Sequence, residues 1–296
     1  IGIGGGGDVV GALATAEACR LYHGAEPVLG GTSWERRVVD PEPGPRSASE
    51  IEGARELAPA VLAANAETRV AASEVVFAES RMAGFLAEET VLVDVNAGPA
   101  TIADGLRAAV AALGCDLVVF VDVGGDALGH GDEPGLASPL CDAVMLAAGE
   151  RLAGGGVPVL GAVFGAGCDG ELTPAEVLDR LGEVAAAGGL AGVRGLTPPV
   201  VERLDAAVEV VPTEASAQAL RCFRGETGTA PIRGGRRSVE LTPVGALTFY
   251  FDVPAAIGSA ARLARAVRDA PDLEAANDLL HDMGVERTEL DYERSM

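Results

Sequence analysis

Apolar residues in this chain come in short runs, and glycine and aspartate punctuate the gaps between them. Continuous runs without alternation predict buried strands, and runs of helical period predict helices. Ile1–Ile3 reads as a strand and Val9–Tyr22 as a helix, with Gly4-Gly5-Gly6-Gly7-Asp8 between them. Pro27–Gly30 reads as a short strand running into a polar loop, Thr32–Ser49, and Ile51–Leu62 as a helix. Val91–Val95, Leu117–Val123 and Val157–Phe164 read as strands, separated by the helical segments Ala100–Leu113 and Ser138–Leu152. Thr173-Pro174-Ala175-Glu176 has an N-cap residue and a proline suited to a helix start, and that helix runs to about Ala187. Ala207–Val211 reads as a strand and Ala215–Arg224 as a helix. Ser238–Thr242 and Ala246–Asp252 read as a hairpin about Pro243-Val244-Gly245, followed by two helices, Ile257–Ala270 and Leu273–Met283.

Strand-then-helix order over most of the chain predicts an α/β fold: a Rossmann-like, mostly parallel sheet with helices on both faces, ending in a hairpin and short helices. The expected division is one α/β ligand-binding domain, residues 1–254, with residues 255–296 as a helical extension packed on it. At 296 residues the chain has ample length for a large core. The first residue is Ile, from which we expect a few residues upstream, belonging to the first strand.

Ligands of open parallel sheets sit beyond the carboxyl ends of the strands. Nearly every predicted strand end here carries Gly with Asp, so these loops are expected to line one cleft. Turn chemistry alone is the plainer reading of any single one. Gly5, Gly6 and Gly7 present bare backbone at a helix N-terminus, which suits a phosphate, and Asp8 adds a carboxylate. A tight turn without ligand fits the same residues. The glycine spacing is not that of a dinucleotide fingerprint. Asp122, Asp126 and Asp132 surround Gly124-Gly125 and His130. Asp122 and Asp126 are candidate Mg²⁺ ligands, or could bond ribose hydroxyls, or serve the loop alone. Asp126, Asp169 and His130 are the candidate catalytic acid/base groups. Ser138 and Asp142 read as helix capping, and Glu171 accompanies Asp169 as a further site carboxylate. Arg233, Arg236 and Arg237 form the strongest cationic group and suit a phosphate or carboxylate. Trp34, the only tryptophan, is placed to stack on a base or to anchor its loop.

Composition narrows these readings. Formal net charge is -22, which makes nucleic acid and anionic membrane surfaces poor partners. No apolar run approaches the roughly 20 residues of a membrane helix. The chain contains no Lys, so a Walker-type phosphate loop, Schiff-base chemistry and lysine-bound pyridoxal phosphate are all excluded. Five widely spaced cysteines fit reduced thiols and a cytoplasmic location, and three histidines make a three-His metal site improbable.

Several stretches taken together resemble an uncharacterised archaeal and bacterial family, domain of unknown function number 1152. They are Gly4–Ala12, Trp34-Glu35-Arg36 with Asp40-Pro41, Asp122–Asp126, Glu133–Leu136 with Ser138-Pro139-Leu140, Gly167–Leu172, Thr213–Ser216 and Arg233–Arg237. The likeness covers about residues 1 to 254, and as a set the motifs are specific. It implies membership and no established activity. The residues themselves lead us to expect an enzyme binding a phosphorylated or nucleotide-like small metabolite, a hydrolase or group transferase using Mg²⁺. The alternatives are a non-catalytic nucleotide-binding sensor, an enzyme using an NAD-type cofactor, and a subunit of a homo-oligomer built through these loops.

Overall fold

A computed structural model describes residues 1–296. In chain order, α1 (Asp8–His23) and β1 (Gly30–Thr32) are followed by four short strands, β2 (Ile51–Glu52), β3 (Arg55–Ala58), β4 (Val61–Ala64) and β5 (Arg69–Val70). Then come α2 (Ala78–Leu86), β6 (Thr90–Val93), α3 (Gly98–Leu113), β7 (Val118–Val123), α4 (Pro139–Gly154), β8 (Val159–Phe164), α5 (Pro174–Ala186) and β9 (Leu190–Gly195). Helices α6 (Pro198–Val210) and α7 (Glu214–Phe223) precede β10 (Gly228–Ile232), β11 (Arg237–Leu241) and β12 (Leu247–Asp252). The chain closes with α8 (Val253–Gly258), α9 (Arg262–Val267), α10 (Leu273–Asp282) and α11 (Glu289–Arg294).

The fold is mixed α/β. One four-stranded sheet has the order β1-β6-β4-β3 and another the order β7-β8-β12-β9. Parallel pairing is confined to β1 with β6, β7 with β8, and a bridge from Gly2 to Val121; the other ladders of these sheets are antiparallel. Residues 1–3 stitch the two sheets together. Gly2 N–H donates to the Gly30 carbonyl on one side (2.8 Å), and Ile3 N–H donates to Val121 on the other (3.0 Å). Both faces are covered, as alternate residues of β7 show. Val118 and Phe120 enter a core shared with α3, α4 and α8–α10, whereas Val121 and Val123 enter one shared with α1, α6 and α7. No helix is long and apolar enough to cross a membrane.

Several sequence expectations need correction. The predicted helix Ile51–Leu62 is strand and turn, because Gly53 and Ala60 take left-handed φ of 77° and 62° and Pro59 interrupts the run. Ala207–Val211 is not a strand; Ala207–Val210 ends α6 and Val211 is its C-cap, and the helix's buried Val200, Val201, Leu204 and Ala207 follow helical spacing. The hairpin is β10 with β11, turning through Arg233–Arg236 with Gly234 and Gly235 at φ 65° and 83°. β12 instead enters the main sheet between β8 and β9. The expected helix Ile257–Ala270 is broken at Ser259–Ala261 into α8 and α9, and α2, β9, β10 and α11 had no counterpart among the expected elements.

Gly11 sits where α1 crosses the sheet. A Cβ there would lie 2.2 Å from Val123 Cγ2 and 3.1 Å from Phe164 Cδ1. Gly11→Val therefore overpacks this contact and should cost about 1–3 kcal/mol in urea denaturation. A loss under about 0.5 kcal/mol, the range of ordinary surface changes, would show that helix and sheet are not in close contact here.

Candidate active site

The carboxyl ends of residues 1–3, β1, β7 and β8 open on one side, and their following loops line a cavity of about 980 Å³. Gly4–Gly7 and Asp8 form one wall. Gly5 and Gly6 take left-handed φ of 76° and 55°, and a Cβ on Gly7 would lie 2.4 Å from the Thr213 side chain. The amides of Gly5 and Gly7 meet no acceptor in the protein. Gly7 is the N-cap of α1 without a side-chain cap, so the positive end of the helix dipole faces this wall.

Asp8 turns back into the loop. Its Oδ2 accepts from Gly4 N–H (3.0 Å) and from Val123 N–H (3.2 Å), pinning the glycine loop to the end of β7. Burial pushes its carboxyl up to about 6 against the pull of Arg36. Asp8, Asp122 and Asp142 bring one oxygen each within 4.8 Å of one another, and Asp126, Asp169 and Glu171 do the same. The expected pair Asp122 and Asp126 is thus divided between two adjoining groups.

Desolvation, reinforced by mutual repulsion, holds Asp122, Asp126 and Asp142 well above the usual carboxylate range. The same causes, burial first and then Glu171, push Asp169 up to about 7. Glu171 is the exception. Its oxygens accept from Ala137 and Ser138 N–H (2.7 and 2.8 Å) and from Arg237 (2.9 Å). Although burial opposes it, Arg237 and these donors hold Glu171 below the usual range.

Of the expected cations, Arg233, Arg236 and Arg237 all line the cavity, brought there by the β10–β11 turn. Arg236 is exposed and donates to the Tyr292 hydroxyl (2.7 Å). Three expected site residues are not in the lining: Asp122 is buried behind it, grouped with Asp8 and Asp142, and two others lie elsewhere. His130 is outside the cavity, with Nε2 3.1 Å from Glu183 and Arg180 bonded to the same carboxylate. Trp34 is buried, and its indole N–H donates to Glu293 (3.0 Å); the ring ties the loop after β1 to α11 and does not line the cavity.

Sequence reasoning missed other members. Arg36 sits under the glycine loop, donating to the Gly4 carbonyl (3.0 Å), and its pKa is raised by Glu289, Asp8, Glu171 and Asp142 despite burial. Glu289 of α11 accepts from Leu140 and Cys141 N–H at the start of α4 (3.1 and 2.7 Å). Burial carries its carboxyl up to about 7. Glu289, Tyr292 and Glu293 line the cavity, so the C-terminal helix supplies part of its wall. The Trp34-Glu35-Arg36 stretch was the visible signal for Arg36. Nothing local in the sequence marks Glu289.

The chain belongs to a family described as "Protein of unknown function (DUF1152)", whose sequence profile matches residues 1–296. The match runs through the C-terminal segment, beyond the stretches that carried the resemblance. The searches of curated proteins and of solved structures find no match.

The raised carboxyls make stability depend on pH. A carboxyl with its pKa raised by folding binds protons more tightly in the folded chain, so its contribution to stability falls as pH rises from about 4 and levels off above the folded value. For Asp169 that loss runs to about 7. In chelator, Asp169→Asn should gain stability over the native chain by more than about 1.4 kcal/mol between about pH 5 and about pH 8 in urea denaturation. A constant difference across that range would show Asp169 to titrate as an ordinary surface carboxylate.

Proposed function

We propose that this chain is an enzyme acting on a phosphorylated or nucleotide-like small metabolite, as a hydrolase or group transferase. One observation carries the reading: two free loop amides at the start of α1, a rim of arginines and a floor of buried carboxyls with raised pKa values share one cavity. Amides at a helix N-terminus and guanidiniums are the recurrent partners of phosphate oxygens. Carboxyls displaced toward neutral pH suit general acid/base work, and their clustering in a cleft is typical of functional sites.

Topology supports the same place. The order β6, β1, residues 1–3, β7, β8 follows the 3-2-1-4-5 progression of a Rossmann-like sheet, with the glycine loop where that order reverses. In this reading the free amides of Gly5 and Gly7, with Arg233 and Arg236, hold the phosphate, while Gly6, whose N–H donates to the Trp34 carbonyl (2.7 Å), only shapes the loop. Asp126 and Asp169 serve the reacting end, with Mg²⁺ as the counter-charge of the floor. Arg237 is already tied to Glu171 and positions that carboxylate.

The test is turnover. Purified protein with Mg²⁺ and a panel of nucleotides and sugar phosphates should convert at least one of them. Saturable binding without product would favour a nucleotide sensor, and no rise in thermal stability with any phosphate-bearing compound would overturn both readings. Arg236→Ala should weaken the phosphorylated ligand at least about tenfold, the loss of one charge-assisted hydrogen bond, and leave a neutral analogue unchanged. Arg236 is exposed and bonds only Tyr292 and the Arg233 carbonyl, so the fold should survive the change. Equal affinity for the phosphorylated ligand would remove Arg236 from the site.

A further inference from the structure

The geometry points to two divalent-cation sites at the floor of the cavity, one held by Asp8, Asp122 and Asp142 and the other by Asp126 and Asp169 beside Glu171. The inference deepens the reading above by specifying how many cations the site takes and which carboxylates hold them.

Each group already has the spacing of a ligand set, with its oxygens within 4.8 Å of one another. Acidic spacing alone would mean little in so acidic a chain. The second observation is that Asp142 Oδ1 and Asp169 Oδ1 are buried and have no hydrogen-bond partner. The two residues are 2% and 5% exposed. Leaving such an oxygen unsatisfied costs about 1–3 kcal/mol, and more when it is charged. One orphaned oxygen falls in each group.

The neighbouring oxygens are fixed by the backbone. Asp8 Oδ2 is held by Gly4 and Val123 N–H, and Asp122 Oδ2 by Ala127 N–H (3.1 Å). Glu171 is held by Ala137, Ser138 and Arg237. Such outer contacts orient ligating carboxylates before an ion arrives. Two glycines let the carboxylates close in. A Cβ on Gly4 would lie 2.7 Å from Asp8 Oδ2 and 3.0 Å from Asp142 Oδ2, and one on Gly124 would lie 2.2 Å from Asp169 Cγ.

Charge is compatible with the same occupant. Six carboxyl groups meet here, and their nearest guanidiniums are Arg36, Arg233 and Arg237. The remaining negative charge is carried as bound protons or balanced by cations. Neither group includes a His or Cys, and an all-oxygen set selects hard ions such as Mg²⁺ or Mn²⁺ over zinc or copper. Asp126 feels Asp142 and Asp122 as well as Glu171 and Asp169, so the two groups adjoin. Adjoining ions suit a two-ion clamp on phosphoryl oxygens.

The experiment counts ions without substrate. Full-length protein stripped with chelator is titrated with Mn²⁺, free ion is followed by electron paramagnetic resonance, and thermal unfolding is recorded in parallel. Two Mn²⁺ per chain, a raised melting temperature and displacement by Mg²⁺ are expected. Asp142→Asn and Asp169→Asn should each reduce the count to one. Both keep the shape of the side chain and remove its capacity to ionise in a buried site, so the stripped variants should melt no lower than the native chain. One ion or none on the native chain overturns the proposal, as does a count of two in both variants. Because no phosphate compound is present, the ion count stands whatever the turnover assay shows.

Discussion

Everything about this site follows from six carboxyl groups brought out of water at the ends of adjacent strands. Like charges a few ångströms apart in a poorly solvated floor cannot all remain ionised without compensation. Asp122, Asp126 and Asp142 respond by holding protons far above the ordinary range. Glu171 responds in the opposite way, keeping its charge through Arg237 and the donors around Ser138. Such a concentration opposes folding, so the surroundings must be read as what permits it.

Three features permit it. Glycine supplies room: at Gly4 and Gly124 a side chain would occupy space the carboxylates use. The backbone supplies donors. Asp8 takes loop and strand amides beside the first turn of α1, and Glu289 takes the first amides of α4. Arg36 supplies a cation inside the cluster, reached through a loop that is itself anchored. Trp34 bonds Glu293, and the buried Arg46–Asp40 pair holds the far end. The C-terminal helix thus bonds both the loop after β1 and the start of α4, elements far from it in sequence.

The parts of this arrangement carried by local pattern were legible. Val118–Val123 and Val159–Phe164 are continuous apolar runs and are buried strands, and Thr173-Pro174 does start a helix with a capping box. The convergence of the Gly/Asp loops was legible too, because strand ends of a wound sheet share an edge. What stayed hidden depends on partners distant in sequence. Leu190–Gly195 is half glycine and alanine and mostly exposed, so nothing but pairing with β12 marks it as a strand. Leu247–Asp252 alternates like a hairpin arm, yet its true neighbours are β8 and β9. Asp142 reads as an ordinary first-turn helix acid. Only the tertiary approach of Gly4 and Asp8 turns it into a member of the floor. His130 misled for the same reason, since density of polar residues along the chain says nothing about which side of a loop faces the cavity.

The arginine rim and the acidic floor also constrain one another. An anion approaching Gly5 and Gly7 meets favourable amides and guanidiniums, but just behind them lies a set of carboxyl groups whose ionisation would repel it. Protons neutralise the floor only while pH stays below the raised values. In the proposed two-cation site the same role falls at higher pH to divalent cations, which would neutralise the carboxylates and present a positive surface to phosphoryl oxygens. On that proposal, phosphate recognition at the rim and cation binding at the floor form one electrostatic design with two separable halves. Asp8, bonded to the glycine loop by one oxygen and grouped with Asp122 and Asp142, is the residue that joins them.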